Sequence, residues 1–139
     1  MSDPVERVMA LWQHLPEDDG AARAAFAEVY AERVVVNGAE VTLDALLARA
    51  RGMQAALSDV HHELLERVEA GDKLVVAFKL YGRHTGPLST AIGDVPATGR
   101  DVWIQGMDVL TLTDGRITGI TVLADELGLL ARLDAVTLH

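Results

Sequence analysis

Near residue 60 the apolar pattern of this chain changes period, and that change limits the fold more tightly than any single motif. Before it, apolar residues recur at helical spacing: Val5, Val8, Met9, Leu11, Trp12 and Leu15 behind Pro4, then Phe26, Val29 and Tyr30 behind an alanine-rich run that Asp18 or Asp19 can cap. Leu15-Pro16 ends the first of these helices. A short β-branched run, Val34 to Val36, stops at Asn37-Gly38 and reads as a brief strand and turn. Thr42 then caps a third helix, with Leu43, Leu46, Leu47, Ala50, Met53 and Leu57 as its buried stripe. After the change, Val60 to Val68, Lys73 to His84, Asp101 to Leu112 and Ile117 to Ala124 read as strands. Ala70-Gly71-Asp72 and Thr113-Asp114-Gly115 are hairpin turns, whereas Thr85 to Arg100 is a long connection rich in glycine and proline. Helices followed by antiparallel strands predict an α+β domain whose helices pack on one face of a curved antiparallel sheet.

At 139 residues the chain reads as a single domain, 1–139, able to bury about two-thirds of its unfolded surface. No apolar run approaches the roughly 20 residues that span a bilayer, and the acidic start, MSDPVERVMALWQHLPEDDG, lacks the features of a secretory signal, so a cytoplasmic, membrane-free protein is expected. The net charge of −9 opposes attraction to nucleic acid. With no cysteine, any chemistry falls to five histidines and the carboxylates.

Among the carboxylates, Asp108 stands out because it interrupts an apolar alternation: Val102, Ile104, Gly106, Asp108, Leu110 and Leu112 share one face of a strand, while Trp103, Gln105, Met107, Val109 and Thr111 make a second fairly apolar face, so periodicity alone leaves open which side is inward. A carboxylate on a face that wants burial needs either a partner in the protein or a task. His61 and His62 lie on opposite faces of their strand, so only one faces the core; His62 reads as an acid, base or orienting group near Asp108, or as a hydrogen-bonded core histidine. His84 ends a strand whose Val76, Phe78 and Leu80 look inward, which places it at a pocket mouth or in a turn-stabilising role beside Thr85-Gly86. Adjacent strand residues diverge, so His61, His62 and Glu63 do not make a zinc site, and no metal is expected. Trp12, Phe26, Tyr30 and Met53 sit on helical apolar stripes and read as cavity lining or as plain core.

The order His84-Thr85-Gly86, Pro96-x-Thr98-Gly99-Arg100, Asp114-Gly115-Arg116-Ile117 and Asp125-x-Leu127-Gly128-Leu129-Leu130 resembles the SnoaL-like polyketide cyclases of the nuclear transport factor 2-like superfamily. The upstream hairpin and early helices extend the resemblance to nearly the whole chain. It implies a cone-shaped α+β fold enclosing an apolar pocket, often in a homodimer, and acid/base chemistry without a cofactor. It also implies a catalytic aspartate and histidine on neighbouring late strands, and these two positions fall here at Val122 and Asp108. Gly119-Ile120-Thr121-Val122 stands where the family commonly carries Glu-His-Trp-Asp, and the matching Asp125 reads as a helix cap.

Two small-molecule readings follow, beside a third, an interaction module that dimerises through its sheet, which a cavity filled by side chains would favour. One is a cofactor-independent enzyme acting on an apolar cyclic carbonyl compound or epoxide, with Asp108 as general base and His62 or His84 assisting. Trp12, Phe26, Tyr30, Met53, Phe78, Leu80, Ile104, Leu110 and Val122 then line its pocket. The other is a binding protein of the same fold without catalysis. They differ in whether the Asp108 carboxylate reaches an open cavity or is tied up by the protein.

Overall fold

The structure, a computed structural model, describes residues 3–139. Helix α1 (Pro4–Gln13) starts at Asp3, whose carboxylate accepts the Val5 N–H at 2.9 Å and also meets Arg67. Helix α2 (Asp19–Val29) is capped by Asp18, which accepts from the Ala21 N–H at 2.8 Å. It runs directly into β1 (Tyr30–Val36), a longer strand than the Val34–Val36 run alone announces. Asn37 and Gly38, with φ of 50° and 85°, turn the chain into β2 (Ala39–Thr42), and Thr42 caps α3 (Leu43–Ala56) through the Ala45 N–H. Strand β3 (Leu57–Ala70) begins earlier than Val60, because its first residues pair with the end of β4 (Lys73–His84) before a bulge at Asp59, whose φ is 53°.

The long connection holds a small hairpin of β5 (Leu88–Thr90) and β6 (Gly93–Val95). Strands β7 (Asp101–Thr113) and β8 (Arg116–Ala124) follow as predicted, and Asp125 caps α4 (Glu126–Arg132) by accepting the Gly128 N–H at 2.9 Å. The six-stranded sheet has the order β2-β1-β8-β7-β4-β3. The segment from β3 to β8 is antiparallel throughout, as its alternation and turns require. The sheet as a whole is mixed, because β1 lies parallel to β8. Nothing local marks that pairing, since it joins two strands separated by most of the chain.

Helices α1–α3 bury their apolar stripes against one sheet face, in a cluster that includes Phe26, Val34, Leu43, Leu74 and Ile117. A second cluster of Ala56, Leu57, Leu80, Val102, Leu129 and Leu133 closes the end where α4 returns. Removing one such large side chain from water contributes about 1.5–3 kcal/mol, so the helical stripes and the sheet's inner face hold each other in place. Among the described residues no helix is long and apolar enough to cross a membrane.

Candidate active site

The sheet curls around a cavity of about 250 Å³ that α1 and α3 cover. Its walls follow from strand register. Val76, Asp108 and Val122 form one row across β4, β7 and β8; Leu74, Leu110 and Ile120 form the next; Phe78, Gly106 and Ala124 the one beyond. Because side chains alternate across a strand, these rows share a face. Gly106 is required there: a Cβ would come within 2.8 Å of Phe78 Cζ, so the ring lies over the bare backbone. Val5, Val8, Met9 and Trp12 of α1, Leu46, Arg49 and Met53 of α3, and Tyr30 and Val36 of β1 complete much of the lining.

Asp108 faces this cavity and is partly accessible through it. Among the described residues no hydrogen-bond donor or cation is placed on its carboxylate. Burial among Val76, Leu110 and Val122 pushes its pKa up to about 6, since a poorly solvated site disfavours the charged form.

His62 also lines the cavity, edge-on to the Phe78 ring at 5.7 Å, while His61 points the other way and stacks on Tyr81. Gln13, the last residue of α1, accepts at Oε1 both the His62 backbone N–H at 2.9 Å and, at 3.0 Å, the proton on His62 Nδ1. An amide oxygen only accepts, so neutral His62 carries its proton on Nδ1 and keeps Nε2 as an acceptor. Burial, reinforced by the neighbouring His61, lowers its pKa to about 4. At neutral pH the cavity therefore holds an ionised carboxylate and an uncharged imidazole.

The other polar groups come from Tyr30, Trp12 and Arg49. Tyr30 is 2 % exposed, and its hydroxyl oxygen accepts the Trp12 Nε1–H at 2.8 Å. Burial raises the Tyr30 pKa well above the ordinary tyrosine range; the Trp12 hydrogen bond opposes this rise and the Asp108 charge adds to it. Arg49 is exposed and makes no ion pair among the described residues, so the cavity reaches solvent beside α3 at a cationic rim.

Of the residues expected to line the pocket, Trp12, Tyr30, Met53, Phe78, Leu80, Ile104, Leu110 and Val122 do so. Phe26 does not: it is fully buried behind the wall, with its ring 5.1 Å from Tyr30 and 6.2 Å from Trp12, so it supports those two rings instead. His84 also requires correction. It is fully buried at the end of β4, away from the cavity lining, and its Nδ1 accepts the Thr98 N–H at 3.3 Å. Its backbone N–H reaches Arg100 O at 2.8 Å, and its carbonyl accepts from Gly99 N at 2.7 Å. Gly86 packs so closely on α3 that a Cβ would lie 2.0 Å from Ala55 O. The His-Thr-Gly and Pro-x-Thr-Gly-Arg motifs thus clasp one another, and His84 Nε2 is left without a hydrogen-bond partner among the described residues. Gln13, which fixes the His62 tautomer, carries no sequence signal beyond its place at a helix end. Among the described residues no three His, Asp or Glu side chains gather as a metal site.

Comparison with known proteins agrees with this architecture. TsrD from Streptomyces laurentii superimposes with a TM-score of 0.79 at 23% identity, covering 96% of this chain and 93% of that one. IdmH from Streptomyces antibioticus gives 0.73 at 19% identity, covering 96% and 99%. A SnoaL-like polyketide cyclase from Agrobacterium tumefaciens gives 0.72 at 15% identity, also covering 96% and 99%. No curated protein matches the sequence. The model of the SnoaL-like polyketide cyclase family matches residues 6–133, which is nearly all of the chain, and the protein belongs to that family.

Proposed function

We propose that this protein is a cytoplasmic, cofactor-independent enzyme that removes a proton from the carbon next to a carbonyl group in an apolar cyclic compound. The observation that supports this most is the Asp108 carboxylate, which faces an open apolar cavity without a partner among the described residues. A pKa near 6 makes it an ionised but basic carboxylate at neutral pH. Val122, where the family resemblance implies an aspartate, is the direct cross-strand partner of Asp108, so a carboxylate at 108 stands one strand away, about 5 Å, and faces the same space. In the proposed reaction the carboxylate takes the α-proton and the C–H electron pair becomes an enolate. The enolate carbon attacks a second carbonyl of the same molecule, forming the new C–C bond, and the resulting alkoxide recovers the proton from the Asp108 carboxyl. His62 accepts a hydrogen bond at Nε2 and so orients a substrate hydroxyl. Since an apolar cavity of about 150 Å³ holds benzene, one of about 250 Å³ suits a bicyclic skeleton.

Exchange of the α-protons of 2-tetralone in D₂O, followed by NMR, tests the chemistry without the natural substrate. The wild-type protein is expected to accelerate exchange, and Asp108→Asn to slow that acceleration by about 100-fold or more. Equal exchange by the variant would place the base elsewhere. A wild-type protein that binds the ketone without exchanging it would make this a binding protein.

A homodimer formed through the outer sheet face belongs to the same reading. Met107 and Leu123 are cross-strand partners there, 49% and 79% exposed, beside Ala77 and Val109 in a shallow depression. A second copy covering this patch would show as a dimer by light scattering, and Leu123→Asp is expected to return it to monomer. A wild-type monomer at high micromolar concentration would remove the dimer from the account.

A further inference from the structure

We propose that Tyr30 is the hydrogen-bond donor that holds the substrate's carbonyl oxygen, and that Trp12 is its positioning residue. This rests on the carbonyl reading above and supplies what that reading lacks. An enolate needs a donor at its oxygen, yet the carboxylate of Asp108 and Nε2 of His62 are both acceptors at neutral pH. Tyr30 provides one. Its oxygen receives the Trp12 Nε1–H at 2.8 Å, and its own O–H proton has no acceptor among the described residues although the side chain is buried against the cavity. An indole N–H is donor only, so the direction of this contact is fixed: Trp12 uses the hydroxyl's lone pair and leaves its proton to be given away. Accepting a hydrogen bond also strengthens a hydroxyl as a donor. The Phe26 ring, stacked on Tyr30 at 5.1 Å, holds the phenol in place, so the donor is in position before substrate arrives. Burial keeps the phenol protonated across the pH range in which Asp108 is ionised.

Two isosteric probes separate this claim from the chemistry. 2-Acetylnaphthalene carries a C=O where 2-isopropenylnaphthalene carries a C=CH₂, so the ratio of their dissociation constants reports the hydrogen bond to oxygen and not the apolar fit. The comparison is made between Trp12→Phe and Trp12→Phe/Tyr30→Phe, so that an indole N–H freed by loss of the phenol cannot take over. The ketone is expected to be preferred by wild-type protein, less so by Trp12→Phe, and by a factor about two to ten smaller again in the double variant. The infrared C=O stretch of the ketone bound to wild-type protein should lie below its position in hydrocarbon solvent. An unshifted stretch overturns the proposal even if the double variant does not fold, and so does the same ketone preference in both variants. Wild-type protein that prefers the ketone yet does not accelerate α-proton exchange would count against the base and leave the donor standing, so the two failures are distinguishable. If wild-type protein bound neither probe, the apolar-pocket reading would fail and this proposal with it.

Discussion

Asp108 and His62 face one cavity, and the same physical cause moves their pKa values in opposite directions. Poor solvation disfavours whichever form is charged, so the carboxyl rises from 3.8 to about 6 and the imidazole falls from 6.5 to about 4. A folded carboxyl with a raised pKa leaves stability intact below pH 3.8 and costs it as pH climbs through 6, because the unfolded chain gives up its proton first. The gap between 3.8 and about 6 corresponds to about 3 kcal/mol at neutral pH. The imidazole acts in reverse: neutral in both states above 6.5, it costs stability as pH falls towards 4. Asp108→Asn is therefore expected to melt several degrees above wild type at pH 7.5 and to converge with it near pH 4. A variant that melts lower at pH 7.5 would mean that the carboxylate is held by the protein and is not free for chemistry.

At the scale of elements, the β7–β8 register sets Val122 opposite Asp108, the parallel pair β1–β8 braces the other edge of β8, and Asn37 is the clasp of that pair. Its backbone N–H reaches Ile120 O at 2.9 Å, its side-chain oxygen accepts the Val122 N–H at 2.8 Å, and its amide nitrogen donates to Val122 O at 3.2 Å. It does this at φ 50°, a conformation asparagine tolerates and alanine resists. Asn37→Gly, which keeps the turn but loses the side-chain bonds, is expected to cost about 1 kcal/mol, and Asn37→Ala about 1 kcal/mol more, measured by urea denaturation. Equal stability of the two variants would mean that the left-handed turn carries no strain. Asn37-Gly38 was legible from sequence as a turn, but its reach to β8 was not, because nothing local records a contact across 85 residues. The same distinction runs through the site. The alternation around Asp108 puts Ile104, Asp108 and Leu110 on one face, since strand periodicity is local, and the structure turns that face to the cavity. His84 follows the same alternation and still misses the cavity, because its surroundings are set by the Thr98–Arg100 loop folding back over the strand end. Phe26 misses it because a helical stripe does not say which of its residues reaches the inner wall.

At the scale of the whole molecule, the cone sets an open apolar space beneath α1 and α3 and gives that space one ionisable carboxylate, one neutral imidazole and one buried phenol. The helices close it from one side, the Asp3–Arg67 and Gln13–His62 contacts tie α1 to β3, and Arg49 marks where it meets solvent. With a net charge of −9, the molecule's long-range field does not favour the ionised form of one more carboxylate, so desolvation at Asp108 is not relieved from a distance. The central claim is that Asp108 is a free base poised by burial in this cavity. Its most direct test is the carboxyl carbon shift of Asp108 followed by NMR from pH 3 to 9 and assigned by its loss in Asp108→Asn. A single titration with a midpoint near 6 is the predicted result. A midpoint at or below 3.8 would show a carboxylate stabilised by a partner and would contradict the account.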